Sequence, residues 1–231
     1  MKKYTGFILF IIGVVWTINA FLLPFQFMAF NSTYYYNQFV ELEVHKRIGI
    51  DQSTLKAVTS ALVDYIDTGS GNIEMEADVK GDSLVFYNAK ERHHLHDIYV
   101  LVKSGRTIWF SLNILMLLSL YLLSKLDKSN FLNNLLKTFK ISVYITVGLL
   151  LGLVALYFID FDWAFRKFHE IFFTNDLWLL DPRTDRLIQL MPLKFFIDFT
   201  AQWLLSTSAI MVLFALLGFA VPKIYQKRSI Q

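Results

Sequence analysis

Imidazole is the side chain best suited to moving protons near neutral pH, and three of the five histidines in this chain fall within four positions. They stand in Tyr87-Asn88-Ala89-Lys90-Glu91-Arg92-His93-His94-Leu95-His96-Asp97. Read as a helix, His93 and His96 share a face, Asp97 lies one turn past His93, and His94 points roughly 100° away. A core-packing pattern does not explain three imidazoles so placed; a solvated polar helix end is the competing reading. A second cluster runs from Asp160 to Pro182 and includes Asp162, Phe165, Phe168, His169, Phe172, Phe173, Asn175, Asp176, Trp178 and Asp181. Asp160 or Asp162 can cap a short helix with Phe165, Phe168, His169 and Phe172 along one face. His169 then sits in partly dry surroundings, where a neutral imidazole near a carboxylate exchanges protons close to physiological pH. A buried, hydrogen-bonded histidine is the plainer alternative.

Other chemistries leave no trace. With no cysteine, the chain has no disulfide, thiolate nucleophile or Cys-zinc site. It also lacks a G-x-S-x-G elbow, a P-loop, H-E-x-x-H and G-x-G-x-x-G. His93, His96 and His169 are a conceivable but sparse zinc set, so neither a metal nor another cofactor is expected. Haem between spans is disfavoured because no apolar run carries an axial histidine.

The elements that must position these residues are membrane spans. Apolar, uncharged runs cover Tyr4–Val40 (chiefly Gly6–Phe30), Thr107–Ser124, Ile141–Ile159 and Phe199–Pro222. Each is close to the ~20 residues that cross a bilayer as a helix. With both termini inside, the inner pieces hold nine basic residues (Lys2, Lys3, Lys125, Lys128, Lys137, Lys140, Lys223, Lys227, Arg228) against Asp127 alone. That bias is the positive-inside signature. The outer segments are acidic, eleven acids to seven bases over 31–103 and seven to five over 160–198. The formal charge of +3 therefore averages two opposite faces and implies no nucleic-acid partner. The expected fold is an integral membrane protein, mainly α, with four transmembrane helices, an extracellular α+β cap and cytoplasmic termini. Its parts are span 1 at 1–30, a cap segment at 31–105, span 2 at 106–124, and a basic inner loop at 125–140. Span 3 at 141–159, a second cap segment at 160–198, span 4 at 199–222 and an inner tail at 223–231 complete it.

Within the cap, Tyr34, Tyr35 and Tyr36 suit a headgroup boundary. Asn31-Ser32-Thr33 matches a glycosylation acceptor but reads better as the polar end of a span. Asp51 or Ser53 reads as the N-cap of a helix bearing Leu55, Val58, Leu62, Tyr65 and Ile66, stopped by Gly69 and Gly71. Alternation over Ile73–Val79 and the run Leu84–Tyr87 predict a hairpin turning at Lys80–Ser83. A helix from Ala89 leads into span 2, and if it is straight His96 stands about 16 Å above Thr107 at ~1.5 Å per residue. The segment must therefore tilt, break near Ser104-Gly105, or enter the membrane from about Ile98. The inner loop, with Phe131, Leu132, Leu135, Leu136 and Phe139 among lysines, reads as a topology signal or a helix lying on an anionic leaflet.

The stretch Phe165-x-x-Phe168-His169-x-Ile171-Phe172-Phe173-x-Asn175-Asp176-x-Trp178-Leu179-Leu180-Asp181-Pro182-x-Thr184-Asp185-x-Leu187-Ile188, with Met191-Pro192, Phe195-Phe196 and Glu91-x-x-x-x-His96-Asp97, resembles the bacterial lipoprotein intramolecular transacylase family. The resemblance follows the whole chain in span order, is specific over Asp160–Phe196 and loose over Asn31–Gly81. It implies an acyltransferase of the bacterial cell membrane that moves the sn-2 acyl chain of a diacylglyceryl-cysteine to the α-amino group of the same cysteine, leaving a lyso-form lipoprotein. By that resemblance His96 and His169 are the catalytic pair on the extracellular face. Tyr87, Asn88, Glu91, Asp97, Asp160, Asp162, Asn175, Asp176 and Asp181 are candidate supporting groups, and Phe165, Phe168, Phe172, Phe173 and Trp178 are candidates for a lipid pocket. The implied partners of this monomer are a diacylated lipoprotein and membrane lipids. The rival readings are a metal-dependent membrane hydrolase using the same histidines and a non-catalytic envelope accessory protein.

Overall fold

A computed structural model describes residues 2–222, so the inner tail expected at 223–231 lies outside the described residues. Nine α-helices and one hairpin occur among them: α1 (Lys2–Ala29), α2 (Ser32–Glu41), α3 (Val44–Ile48), α4 (Gln52–Thr68), β1 (Glu76–Val79), β2 (Asp82–Val85), α5 (Ala89–Leu126), α6 (Phe131–Ile159), α7 (Phe161–Phe172), α8 (Arg186–Leu190) and α9 (Leu193–Ala215). Four stretches are long and apolar enough to cross a membrane: Tyr4–Ala29, Ala89–Leu126, Lys128–Ile159 and Leu193–Ala220. The described residues divide into two compact units, one of 2–25, 106–156 and 202–222, the other of 26–105 and 157–201.

The first unit is a bundle of α1, α6 and parts of α5 and α9. Leu9, Ile12 and Val15 of α1 pack with Met116 and Leu123 of α5, and Ala20 packs with Leu136, Phe139 and Phe214. Trp16 lies 5.1 Å from Phe139 and 5.6 Å from Phe214. At Gly13 a Cβ would fall 2.6 Å from Ile141 Cγ2, so only glycine allows α1 and α6 to approach this closely. Thr17 and Ser142 share a hydroxyl hydrogen bond of 3.1 Å, and Asn19 accepts from Trp109 Nε1 at 2.7 Å and donates to Asn113 at 3.0 Å. In hydrocarbon such interhelical bonds replace the hydrophobic effect as the source of specificity. Leu117, Leu151 and Leu205 face outward, as lipid contact requires.

In the second unit Asn31 caps α2, its Oδ1 accepting from Tyr34 N at 3.0 Å, which gives that asparagine a structural role. Asp51 caps α4 through Thr54 N, Gly69 ends it at φ 78°, and Leu55, Val58, Leu62 and Ile66 are its buried face. The hairpin pairs β1 with β2 antiparallel, and Lys80 and Gly81 both take positive φ in a two-residue turn. Among the described residues these strands pair only with each other.

Three boundaries move. The segment expected as a basic loop at 125–140 is mostly helix: α6 begins at Phe131 and buries Asn134, Thr138 and Ser142 along one side, because nothing between Phe131 and the span breaks a helix and Lys137 and Lys140 can snorkel. α9 starts at Leu193, before Phe199. α5 is a single helix of 38 residues, about 57 Å long, with no break at Ser104-Gly105. Lys90, Glu91, Arg92, Asp97 and Lys103 lie along its first half, ahead of the uncharged run Thr107–Ser124.

Candidate active site

Asp160 separates α6 from α7 by one residue and caps α7, accepting from Trp163 N at 2.9 Å. On α7, Phe165 and His169 face inward one turn apart. His169 Nδ1 lies 2.7 Å from the Phe165 carbonyl oxygen. A carbonyl only accepts, so the bond requires the proton on Nδ1 and leaves Nε2 with a free lone pair. Phe165, Trp178 and Phe173 ring this imidazole at centroid distances of 4.4, 5.1 and 5.6 Å. Burial pushes the His169 pKa below the usual histidine value, against a smaller opposing effect of the Phe165 carbonyl.

The imidazole facing His169 is His94 of α5, not His96. The two rings are 6.0 Å apart and inclined by 39°. His94 is 4% exposed and lies edge-on to Phe173 at 5.1 Å. Burial, helped by nearby His169 and Lys90 and opposed by Asp97, lowers its pKa to about 4. His94 Nδ1 is buried without a hydrogen-bond partner. Such a group is costly to leave unmade and is a natural docking point for a ligand. His96, two residues along, projects from the other side of α5, where its Nδ1 pairs with Tyr65 Oη at 3.2 Å on the exposed surface. His93 is exposed as well. The expectation that His96 partners His169 is thus revised, because Glu91, His94 and Leu95, spaced i, i+3, i+4, form the buried face of the helix. Among the described residues no three His, Asp or Glu side chains gather in a metal-binding group, so His93, His96 and His169 do not form the zinc set considered above.

The remaining candidates divide by place. Asp97 lies one turn beyond His94 and accepts from Asn175 Nδ2 at 3.0 Å, while Asn175 Oδ1 accepts from Leu177 N at 3.0 Å. That pair ties the loop after α7 to the histidine-bearing face of α5. Asn88 and Glu91 form a capping box: Glu91 N donates to Asn88 Oδ1 at 3.0 Å and Asn88 N to Glu91 Oε2 at 2.6 Å. Glu91 Oε1 also accepts from Leu187 N at 2.5 Å, fastening α5 to α8. Its fully buried carboxyl has a raised pKa from desolvation, partly offset by these two N–H groups. Tyr87 is fully buried and bonds to Val58 O at 3.4 Å. Asp162 pairs with Arg166 on the surface at 2.9 Å. Asp176 is exposed and turns the chain through its carbonyl oxygen, which accepts from Leu179 N. Asp181 clamps Arg183, which holds its pKa down to about 2.

Of the five rings assigned to a lipid pocket, Phe165, Phe173 and Trp178 surround the imidazoles, whereas Phe168 and Phe172 lie against each other at 4.7 Å, inclined by 44°, and are exposed. Phe168 still touches the edge of His169 at 5.5 Å.

Sequence reasoning missed three residues. His94 lies off the face that His93 and His96 share; the apolar Leu95 beside it, in an otherwise polar stretch, is the available signal. Asp185 accepts from Asn88 Nδ2 at 2.9 Å and from Asp181 N at 2.8 Å. Arg186 donates to the carbonyls of Val85 and Phe86, joining α8 to the hairpin. Neither has a local pattern that betrays such distant partners.

A family model described as lipoprotein intramolecular transacylase Lit matches residues 10–196. Among solved structures, the in meso structure of the membrane integral lipoprotein intramolecular transacylase Lit from Bacillus cereus is similar with a TM-score of 0.79, at 17% identity over 100% of both chains. Structures of its histidine-to-arginine and histidine-to-alanine variants give 0.73 and 0.71 at 18% identity, covering 100% of this chain and 96% and 97% of theirs. No curated protein matches.

Proposed function

The chain belongs to the lipoprotein intramolecular transacylase family, and from that premise we propose that it moves the sn-2 acyl chain of a diacylglyceryl-cysteine onto the α-amino group of the same cysteine, with His94 and His169 as the catalytic pair. It is a multi-pass membrane protein and an acyltransferase. The observation that carries the reading is the pairing of two buried imidazoles with different electrostatic settings, within a ring of aromatic side chains.

Those settings divide the labour. With Nδ1–H held by the Phe165 carbonyl, His169 presents Nε2 as a base. His94, its pKa lowered to about 4 by burial, stays neutral at pH 7 and offers its N–H to developing negative charge. Two titratable groups pushed to different strengths in one site are the usual basis for separate acid-base roles. Once His169 carries a second proton, its charge further disfavours protonating His94.

The steps balance without a covalent enzyme intermediate. The neutral α-amine attacks the ester carbonyl carbon, forming the C–N bond and an oxyanion that His94 N–H stabilises. His169 Nε2 takes the proton released from nitrogen. Collapse breaks the ester C–O bond, and the same proton passes to the departing glyceryl oxygen, giving an amide and a free hydroxyl. Nucleophile and electrophile belong to one substrate molecule, so a Ser or Cys nucleophile is unnecessary. Positioning supplies much of the rate, since well-oriented intramolecular reactions gain roughly 7–11 kcal/mol. Phe165, Phe173 and Trp178 keep water from the imidazoles. By the positive-inside bias the site faces outward, and because both histidines lie on one chain a monomer suffices.

The reaction is an isomerisation, which makes its test distinctive. Purified protein is given two synthetic diacylated lipopeptides that differ in both peptide mass and acyl length. Each should yield an N-acyl, lyso product of unchanged total mass, whose fragments place acyl on nitrogen. Products carrying the other peptide's acyl chain would refute the intramolecular reading.

A further inference from the structure

A cavity of about 440 Å³ opens between the α2–α3 corner and the start of α9, lined by Leu42, Glu43, Lys46, Arg47, Pro192 and Lys194. None of these six residues is among those that contact the imidazole pair. Three cations therefore share one concavity with a single carboxylate on its walls, in external segments where acids outnumber bases. Their counter-charges are weakly held. Lys46 pairs with Glu43 and Lys194 with Asp198, all four substantially solvent-accessible or at the surface edge, and such pairs contribute only about 0–1 kcal/mol. The Arg47 guanidinium donates to the Leu42 carbonyl at 3.3 Å, leaving other N–H groups open to a ligand.

The corner is shaped for this display. Glu43 adopts a left-handed φ of 52°, uncommon for a residue with a side chain, and this sharp bend starts α3 so that Lys46 and Arg47 follow one turn later. On the opposite wall Lys194 is the second residue of α9, the helix that opens a candidate span at Leu193. The polar end of a span is where headgroups lie.

We propose that this cavity binds the phosphodiester of an anionic phospholipid headgroup, a site separate from the acyl-transfer centre. An arginine fork matches phosphate oxygens in bidentate fashion, and two lysines add point charges. Leu42 and Pro192 provide an apolar wall for the glycerol and the first acyl carbons. The diacylglyceryl-cysteine substrate carries no phosphate, so the occupant is a bystander lipid. The chemistry recognised is a phosphate whose negative charge no headgroup cation offsets, which an anionic lipid or the free ion could supply and phosphatidylcholine does not.

The test is native mass spectrometry of the full chain in detergent with equal amounts of phosphatidylglycerol and phosphatidylcholine, with and without millimolar inorganic phosphate. Phosphatidylglycerol adducts should predominate, resist inorganic phosphate, and weaken about tenfold or more in the Lys46→Gln, Arg47→Gln, Lys194→Gln triple variant. Lys56→Gln on α4 should leave them unchanged. Should the triple variant fold poorly, Arg47→Gln alone should still lower the adducts while melting like wild type. Equal retention of the two lipids, or adducts indifferent to these substitutions, overturns the proposal. Displacement by inorganic phosphate assigns the cavity to the free anion and overturns the lipid.

Discussion

The imidazoles of His94 and His169 face each other at 6.0 Å, although one belongs to α5 and the other to α7. Each ring is desolvated, and only His169 has its tautomer fixed by a backbone carbonyl. Differences in protonation behaviour between the two therefore follow from where they sit.

The pH profile should show it first. Both histidines have lowered pKa values, chiefly from burial, and the neutral form of His169 is the active base. Two groups must be neutral, the substrate α-amine, whose ordinary pKa is about 8, and His169, so kcat/KM should begin to fall below about pH 8 and steepen with a second limb below pH 6.5, the ordinary histidine value. A second limb at or above that value contradicts the assignment.

Stability has its own pH signature. Between about pH 4 and 6.5 an unfolded His94 binds a proton that the folded one refuses. The unfolded state then holds more protons, so stability rises with pH across that window, is complete above 6.5, and is lost as pH falls toward 4. Thermal melting in detergent should show a shallower slope over this range in His94→Phe than in wild type.

Asp97 opposes the lowering of the His94 pKa. Replacing it by Asn removes that charge, so the His94 titration midpoint should move further down, read by NMR of nitrogen-labelled histidine. An unchanged or higher midpoint would show that Asp97 does not act on the ring.

Glu91 tests the scaffold. Its carboxylate completes the α5 capping box and holds Leu187 N of α8. Glu91→Ala should cost about 2–4 kcal/mol in stability, since it strands buried N–H groups. Asp181→Ala removes only an exposed clamp on Arg183 and should change stability by no more than about 1 kcal/mol.

Much of this architecture could be read from the chain. The apolar runs gave the spans because the bilayer sets their length. Asp51 or Ser53 with Gly69 and Gly71 marked α4, and the turn expected at Lys80–Ser83 marked the hairpin, because caps and tight turns obey local rules; the cap proves to be Asp51 and the turn Lys80-Gly81. The identity of the paired histidine was harder to read, since His94 and His96 project from nearly opposite sides of α5. Which side is buried depends on Glu91 reaching Leu187 and on His169 arriving from α7, contacts distant in sequence. The early start of α6 was hidden for a related reason: Lys137 and Lys140 look like loop residues until their stems run along a helix.

The central claim is that His94 and His169 do the chemistry and His96 does not. The most direct measurement is mass spectrometry of the N-terminal lipopeptide from a diacylated lipoprotein made in cells with each variant. His94→Ala and His169→Ala should each abolish the N-acyl lyso-form, whereas His96→Ala should retain it at close to the wild-type level. Loss of product in His96→Ala with retention in His94→Ala would contradict the account.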